Sequence, residues 1–220
     1  MPISFRKLIP LTLISLGLIL LFNVAVPIGF SHLNFSFSLS PRLIDPTAVA
    51  AVPAPLIGSL TTTDYSQPTT WFSGDLPAPP ALVSKVNYYT LHFPRLRIES
   101  VVEIGGEDLK KNPIQFAGTA LPGSFGNTVI FGHSTLPQFF KPGNSISIFN
   151  HLPEAKVGDE VTVSYDGITY RYVVRNISVV SPTQIEILAQ RYDKHELTLV
   201  TCVPLGTYLK RFVVRAELVN

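Results

Sequence analysis

The chain's one cysteine, Cys202, lies in the run Thr198 to Arg215, TLVTCVPLGTYLKRFVVR. It stands at the exit of a short apolar stretch and is followed closely by Pro204 and Gly206. Nine residues after it, Arg211 opens a second apolar stretch, Phe212 to Val214. A thiol at the end of one strand and a guanidinium at the start of the next are placed to face a common pocket. Acyl transfer from a peptide needs a soft nucleophile, a proton donor for the leaving amine, and a positive or hydrogen-bonding group where charge develops on the carbonyl oxygen. Cys202 suits the first role, and Arg211, charged at every relevant pH, suits the last or the orientation of the substrate. A free thiol with a pKa of about 8.5 is only a few per cent thiolate at neutral pH, so its neighbours set its reactivity.

A histidine serving as proton donor would be one of His32, His92, His133, His151 and His195. His133 follows the apolar run Thr128 to Phe131 and precedes a loop, Ser134 to Gly143, the kind of position where binding residues concentrate. Taken alone, the same position suits a histidine that caps a strand, just as a lone cysteine is most often a small buried hydrophobe. His195 is nearest to Cys202 in sequence, but it falls in the charged stretch Arg191 to Glu196, which reads as a solvated turn. Along an extended strand it would stand roughly 20 Å from the thiol.

Two motifs give these residues a context. Thr198-Leu199-Val200-Thr201-Cys202 resembles the TLxTC signature of the sortases, the cysteine transpeptidases of bacterial surfaces, and the spacing to Arg211 is similar to that of their third catalytic residue. Gly118-Thr119-Ala120-Leu121-Pro122-Gly123, followed by Gly126-Asn127-Thr128-Val129-Ile130-Phe131-Gly132-His133, resembles the segment of that family in which a glycine-rich loop leads into the strand before the catalytic histidine. The resemblance implies His133, Cys202 and Arg211 as the catalytic set, with a weaker role for Thr201 near the substrate or oxyanion. It also implies cleavage of an LPxTG-like sorting signal after its Thr, a thioacyl enzyme, and attack by an amine. The implied partners are surface proteins with a C-terminal sorting signal and an amine acceptor from a cell-wall precursor or a pilin lysine. No cofactor or metal site is expected. Calcium dependence, known for some relatives, is left open because no compact acidic cluster stands out.

The remaining chain must position and locate this chemistry. With 220 residues, 46% of them hydrophobic, it is long enough for one core with appendages. A formal charge of +2 without a basic cluster gives no footing for nucleic-acid binding. Residues 1–7 read as a cytoplasmic tail containing Arg6 and Lys7. From Leu8 to Phe30 the chain is apolar apart from Thr12, Ser15 and Asn23, and such a helix would cover about 34 Å, enough for a hydrocarbon core. The positive flank keeps the N-terminus inside the cell and the remainder outside. A cleaved secretory signal is the competing reading, but the nearest small-x-small site, Ala48-Val49-Ala50, lies far downstream of the apolar run.

Residues 31–84 hold eight of the nineteen prolines among Ser, Thr and Ala, and read as an extended extracytoplasmic linker. Trp71 and Phe72 break that composition. They read as a docking contact on the folded domain, or as a flap over the site like that of the pilus-building sortases, whose lids typically carry an Asp-Pro-aromatic anchor that this stretch lacks. Only Asp45-Pro46-Thr47 comes near it.

Residues 85–220 read as an all-β catalytic domain. Strands are expected at Tyr89 to Ile98 (interrupted by Pro94), Val101 to Ile104, Thr128 to Phe131, Glu160 to Tyr165, Ile168 to Val180, Ile185 to Leu188, Glu196 to Thr201 and Arg211 to Val219. Asp166-Gly167 is a two-residue hairpin signal, and helix is limited to a turn or two at Ile146 to Leu152 and Thr183 to Gln190. About eight strands separated by Gly and Pro turns argue for a closed barrel, and the resemblance implies the eight-stranded sortase barrel, here preceded by one transmembrane helix. Arg215 shares a strand face with Arg211 and reads as a surface ion pair with a charge such as Glu217. A chain ending directly after its last strand, without a lid anchor, suits a housekeeping or class D or E type better than a pilin polymerase. Two further readings use the same residues: an inactive sortase-like binding module, and a thiol protease that releases its substrate by hydrolysis.

Overall fold

The computed structural model describes residues 13–23, 25–26, 63–73 and 84–219. Its strands are β1 (Tyr88–Phe93), β2 (Ile98–Ile104), β3 (Ile114–Gln115), β4 (Gly126–Phe131), β5 (Glu160–Tyr165), β6 (Ile168–Val180), β7 (His195–Val203) and β8 (Lys210–Val219). They close into a barrel in the order β1-β2-β3-β4-β7-β8-β6-β5, with β5 returning to β1. The β2/β3 and β4/β7 contacts are parallel and the others antiparallel.

Side chains alternate across a strand, and this alternation divides the apolar residues into two clusters. The first fills the barrel: Leu91, Phe93, Val163, Tyr172, Leu199 and Phe212 are among its members. The second lies on the outer wall over β4, β7 and β8, where Val129, Phe131, Val200, Cys202 and Val213 meet Trp71 and Phe72. A strand covered on both faces reads as a continuous apolar run without alternation, which is why every residue of β4 is buried. Cys202 therefore points away from the barrel interior, into a second layer built on its wall.

Most expected strands are present within a few residues. Asp166 and Gly167 both have positive φ, 49° and 77°, as a type I′ hairpin between β5 and β6 requires. Three expectations are corrected. The break at Pro94 is a full turn, with a 3-10 segment over Pro94–Leu96 and Arg97 left-handed at φ 55°. It separates two paired strands, so Ile98 opens β2. Ile185–Leu188 forms no strand; it is a 3-10 turn, as the helical reading of Thr183 to Gln190 expected, and buries Ile187 and Leu188 in the outer cluster. The eighth strand is instead the two-residue β3, too short to carry a pattern. His195 begins β7 rather than lying in a turn, with its ring 4.0 Å from that of Phe125. Glu217 pairs with Lys194 at 2.6 Å and with Arg175 at 3.9 Å, while Arg215 lies opposite Thr198 in the β7/β8 register.

Residues 13–23 are helical, with Leu13, Ile14, Leu16, Leu18, Ile19, Leu20, Leu21 and Phe22 all exposed. Among the described residues no helix is long and apolar enough to cross a membrane. The expected anchor, 8–30, extends beyond the described residues at both ends, and Asp45-Pro46-Thr47 lies outside them.

Candidate active site

Register alone brings three residues into a row. In the antiparallel β7/β8 ladder Cys202 is paired with Arg211. In the parallel β4/β7 ladder Phe131 is paired with Val200, so continuing two residues sets His133 level with Cys202. Neighbouring strands lie about 4.8 Å apart. Imidazole, thiol and guanidinium thus come from three adjacent strands at one height of the barrel wall.

Hydrogen bonds fix this row from below. Gly132 N–H donates to Val200 O at 3.1 Å, and the Thr201 hydroxyl donates to Gly132 O at 2.8 Å. The Ser134 hydroxyl donates to Cys202 O at 2.8 Å, and Phe149 N–H to His133 O at 3.0 Å. The turn that carries His133 is therefore tied to β7 by bonds to Val200, Thr201 and Cys202. Gly132 permits the close packing, because a Cβ there would stand 2.4 Å from the Phe149 ring. Thr201 is fully buried, with its hydroxyl committed to the Gly132 carbonyl. As placed, it orients the histidine turn, and direct contact with substrate would require that bond to be exchanged.

Above the row lies a strap, Thr63 to Ser73. Leu109 N–H donates to Ser66 O at 2.9 Å at one end, and Ser73 N–H to Pro182 O at 2.9 Å at the other. The Tyr65 ring stacks on Tyr208 at 4.0 Å, and the Trp71 indole N–H donates to Tyr65 O at 2.8 Å. The Trp71 ring is fully buried, 5.3 Å from Phe131 and 5.7 Å from His133. Its carbonyl receives two bonds from Arg211, from Nε at 2.9 Å and Nη2 at 2.5 Å. Arg211 Nη1 donates to Tyr208 O at 2.9 Å and Lys210 O at 3.2 Å. The guanidinium carbon also lies 5.5 Å from the Trp71 ring and 5.8 Å from that of Phe72, distances at which cation–π attraction operates. Trp71 and Phe72, read from the sequence either as a docking contact or as a flap, dock on the folded domain over the row of His133, Cys202 and Arg211.

Burial governs the electrostatics. It pushes the Cys202 thiol up to about 12, with Arg211 pulling weakly the other way. It holds His133 down at about 4, helped by Lys110 and opposed by Asp108 and Asp64. Beneath the strap, thiol and imidazole are both neutral at pH 7. Arg211 is 1% exposed and lowered by burial, yet a guanidinium keeps its charge. All its polar partners are neutral carbonyls. A buried cation without a carboxylate favours any negative charge that appears beside it. An open cavity of about 360 Å³ reaches His133 from solvent, lined by Asp64, Tyr65, Lys110, Thr135 and Tyr208 among others. Among the described residues no group of His, Cys, Asp and Glu is arranged to hold a metal ion.

The sortase domain model matches residues 91–219, more than half of the chain. The chain belongs to the sortase family. Sortase A of Bacillus anthracis is 32% identical over 95 residues, 43% of this chain and 41% of that protein. The match spans less than half of that relative's length. Sortase D of Bacillus subtilis (strain 168) is 23% identical over 222 residues, 98% of this chain and all of that protein. Among solved structures, a sortase D5 transpeptidase of Clostridium perfringens superposes with a TM-score of 0.53 at 26% identity, covering 61% of this chain and 79% of that one. Sortase C-1 of Actinomyces oris gives 0.55 at 26%, covering 62% and 76%.

In this sortase, the row contains the residues that the sequence motifs implied, His133, Cys202 and Arg211, and excludes His195, seven residues from the thiol along β7. Sequence reasoning did not single out Ser134, Asp64, Tyr65 or Tyr208. A cue for the strap was available in the cluster of Tyr65, Trp71 and Phe72 within a stretch otherwise poor in aromatics. Ser134 offered none beyond its place next to His133.

Proposed function

We propose that the chain is a membrane-anchored sortase that cleaves an LPxTG-like sorting signal after its Thr and transfers the acyl group to an amine, attaching proteins to the cell surface. The alignment of His133, Cys202 and Arg211 across β4, β7 and β8 carries this reading. His133 takes the proton of the Cys202 thiol as Sγ attacks the Thr carbonyl carbon, and the oxygen that becomes negative is held by the buried Arg211 guanidinium beside the thiol. His133 protonates the departing amine as the C–N bond breaks, leaving a thioester on Cys202. It then takes a proton from the incoming amine, whose nitrogen displaces the thiol. The acceptor amine comes from a cell-wall precursor or a pilin lysine. An exposed helix with apolar residues on every face, Leu13 to Phe22, supports insertion in the cell membrane, with Arg6 and Lys7 on the cytoplasmic side and the barrel outside.

Mass spectrometry of the full chain in nanodiscs with an LPxTG-type peptide library tests this. A thioacyl adduct on Cys202, absent in Cys202→Ala and converted to a ligated product by an added amine, is expected. Release of free acid alone, in the presence of amine, would make the protein a hydrolase, and no adduct from any peptide would rule out acyl transfer from these signals.

A further inference from the structure

Two loops form a rim at the end of the barrel where the catalytic row lies. Residues 134–147 follow His133, and residues 204–209 join β7 to β8. The loops pack on each other: a Cβ on Gly206, whose φ is 76°, would stand 2.6 Å from the Leu136 side chain. Ile146 and Tyr208 line the cavity beside His133. A second cavity, of about 280 Å³, shares Thr135 and Ile146 with it and reaches Phe139 and Lys141. Each loop is closed by its own hydrogen bonds. The Ser147 hydroxyl donates to Lys141 O at 2.8 Å and accepts from Lys141 N–H at 3.1 Å, and Thr207 N–H donates to Pro204 O at 2.9 Å. With their backbones so engaged, the loops leave Phe139, Ile146, Tyr208 and Leu209 exposed. Lys141 and Lys210 flank these side chains, and neither 134–147 nor 204–210 contains a carboxylate. The neighbouring turn, 105–112, sets Lys110 and Lys111 against Glu107 and Asp108 and adds no net charge, while Asp64 faces the cavity from the strap. Thr63, where the described chain resumes after the exposed apolar helix, lines that same cavity.

We propose that this rim, Phe139, Ile146, Tyr208 and Leu209 with Lys141 and Lys210, docks into the interface of an anionic lipid bilayer and sets the mouth of the catalytic site at the membrane surface. This rests on the membrane-anchored reading above. Rings and aliphatic side chains beside lysines suit the headgroup boundary, where the apolar parts sink and the ammonium groups reach lipid phosphates. A lysine close to an anionic surface strengthens attachment about fivefold, so two of them give a weak, reversible contact that a tethered domain populates and a free one does not. The chain reaches the domain on the same rim, at Thr63, which holds this end of the barrel toward the anchor. A substrate held in the same bilayer by an apolar segment then meets the site at its own height.

Cys202 is the chain's only cysteine, so in full-length Cys202→Ala a bimane label can be placed at one site by Phe139→Cys, Leu209→Cys or Ile168→Cys. Ile168 is an exposed control: it lies twelve residues along β6 from Val180, which pairs with Arg211, and so stands about 40 Å from the rim. In nanodiscs of phosphatidylglycerol and phosphatidylcholine, nitroxide-labelled lipid is expected to quench the labels at 139 and 209 about threefold or more above that at 168. The difference should shrink in phosphatidylcholine alone and when Lys141→Gln and Lys210→Gln are combined. With Cys202 intact, Phe139→Ser combined with Leu209→Ser should lower ligation of a sorting signal anchored in the same disc about tenfold relative to a soluble sorting peptide. Equal quenching of the three labels in chains that co-elute with the discs overturns the rim and leaves the anchor standing. Chains that elute apart from the discs overturn the anchor, and the docking with it. An equal loss with anchored and soluble peptides makes Phe139 and Leu209 substrate contacts and overturns membrane docking as their role. Strong quenching at 139 and 209 with no acylation of Cys202 by any peptide removes the transpeptidase reading and leaves the rim as a membrane-binding face.

Discussion

Arg211 is the residue whose energetics are hardest to explain without a reaction. It is almost fully buried and charged, and every hydrogen-bond acceptor it has is a main-chain carbonyl. Removing a charge from water costs several kcal/mol unless something compensates it, and neutral carbonyls compensate it only in part. Arg211→Ala should therefore lower kcat/KM for a fluorogenic sorting peptide by about 10²- to 10³-fold, the size of effect seen when an oxyanion donor is removed. Arg211→Lys should recover little, because one ammonium cannot reach both the Trp71 and Tyr208 carbonyls that the fork now spans. Near-wild-type activity of Arg211→Lys would mean that charge alone matters and the fork does not. These residues were legible in the sequence because the motifs around them resemble those of the sortases; residue type and position alone left Cys202 readable as a small buried hydrophobe and His133 as a strand cap. Ser134, whose hydroxyl reaches Cys202 O across 68 positions of chain, was not, since that contact exists only through the register of β4 on β7.

The elements that carry the row are held by a buried polar cluster. Asn127 in β4 donates through Nδ2 to Ile187 O at 2.9 Å and accepts through Oδ1 from the Thr198 hydroxyl at 2.7 Å. Gln190 adds bonds to Asn127 N–H at 3.0 Å and to its carbonyl at 3.0 Å. Together they pin the 181–194 loop to the parallel β4/β7 pair. Asn127→Ala leaves the Ile187 carbonyl and the Thr198 hydroxyl short of partners, and should cost about 1–3 kcal/mol, read as a lower midpoint in urea unfolding. Gly132→Ala acts differently. Its Cβ meets the Phe149 ring, whose backbone N–H holds the His133 carbonyl. The barrel should fold while His133 moves, with about a hundredfold loss of kcat/KM and an unchanged circular dichroism spectrum. Long strands such as β6 were legible from alternation. β3 was not, because two residues carry no period, and Ile185–Leu188 misread as a strand because its β-branched, apolar residues suit either state. What decides it is burial of Ile187 and Leu188 under the outer cluster, a tertiary demand invisible locally.

At the scale of the molecule, two layers share one wall, and burial in the outer layer pushes the Cys202 thiol up to about 12 and holds the His133 imidazole down at about 4. Linkage then ties the strap to pH. The groups facing His133 are Asp64 on the strap, Asp108 and Lys110 between β2 and β3, and Cys202 on β7. Asp64 is held below its usual range by the Ser66 side chain and N–H, so it stays ionised through the window that matters. His133 has its pKa held at about 4 under the strap and about 6.5 when freed into water. A depressed histidine pKa means that protons bind the open form better. Closure is therefore fully favoured above about pH 6.5 and weakens as pH falls toward 4. The thiol sets the other limit, because its pKa of about 12 under the strap exceeds the free value of about 8.5, so closure weakens again as pH rises past that value. Cys202 alkylation in the full chain, divided at each pH by that of the urea-unfolded chain, should thus be lowest between about pH 6.5 and 8.5 and about tenfold higher at pH 5. In His133→Gln the acid limb should vanish and the alkaline limb persist. An acid limb that survives in His133→Gln would assign the proton to another group, and a ratio flat from pH 7.5 to 5 in the wild type would separate strap closure from the imidazole altogether.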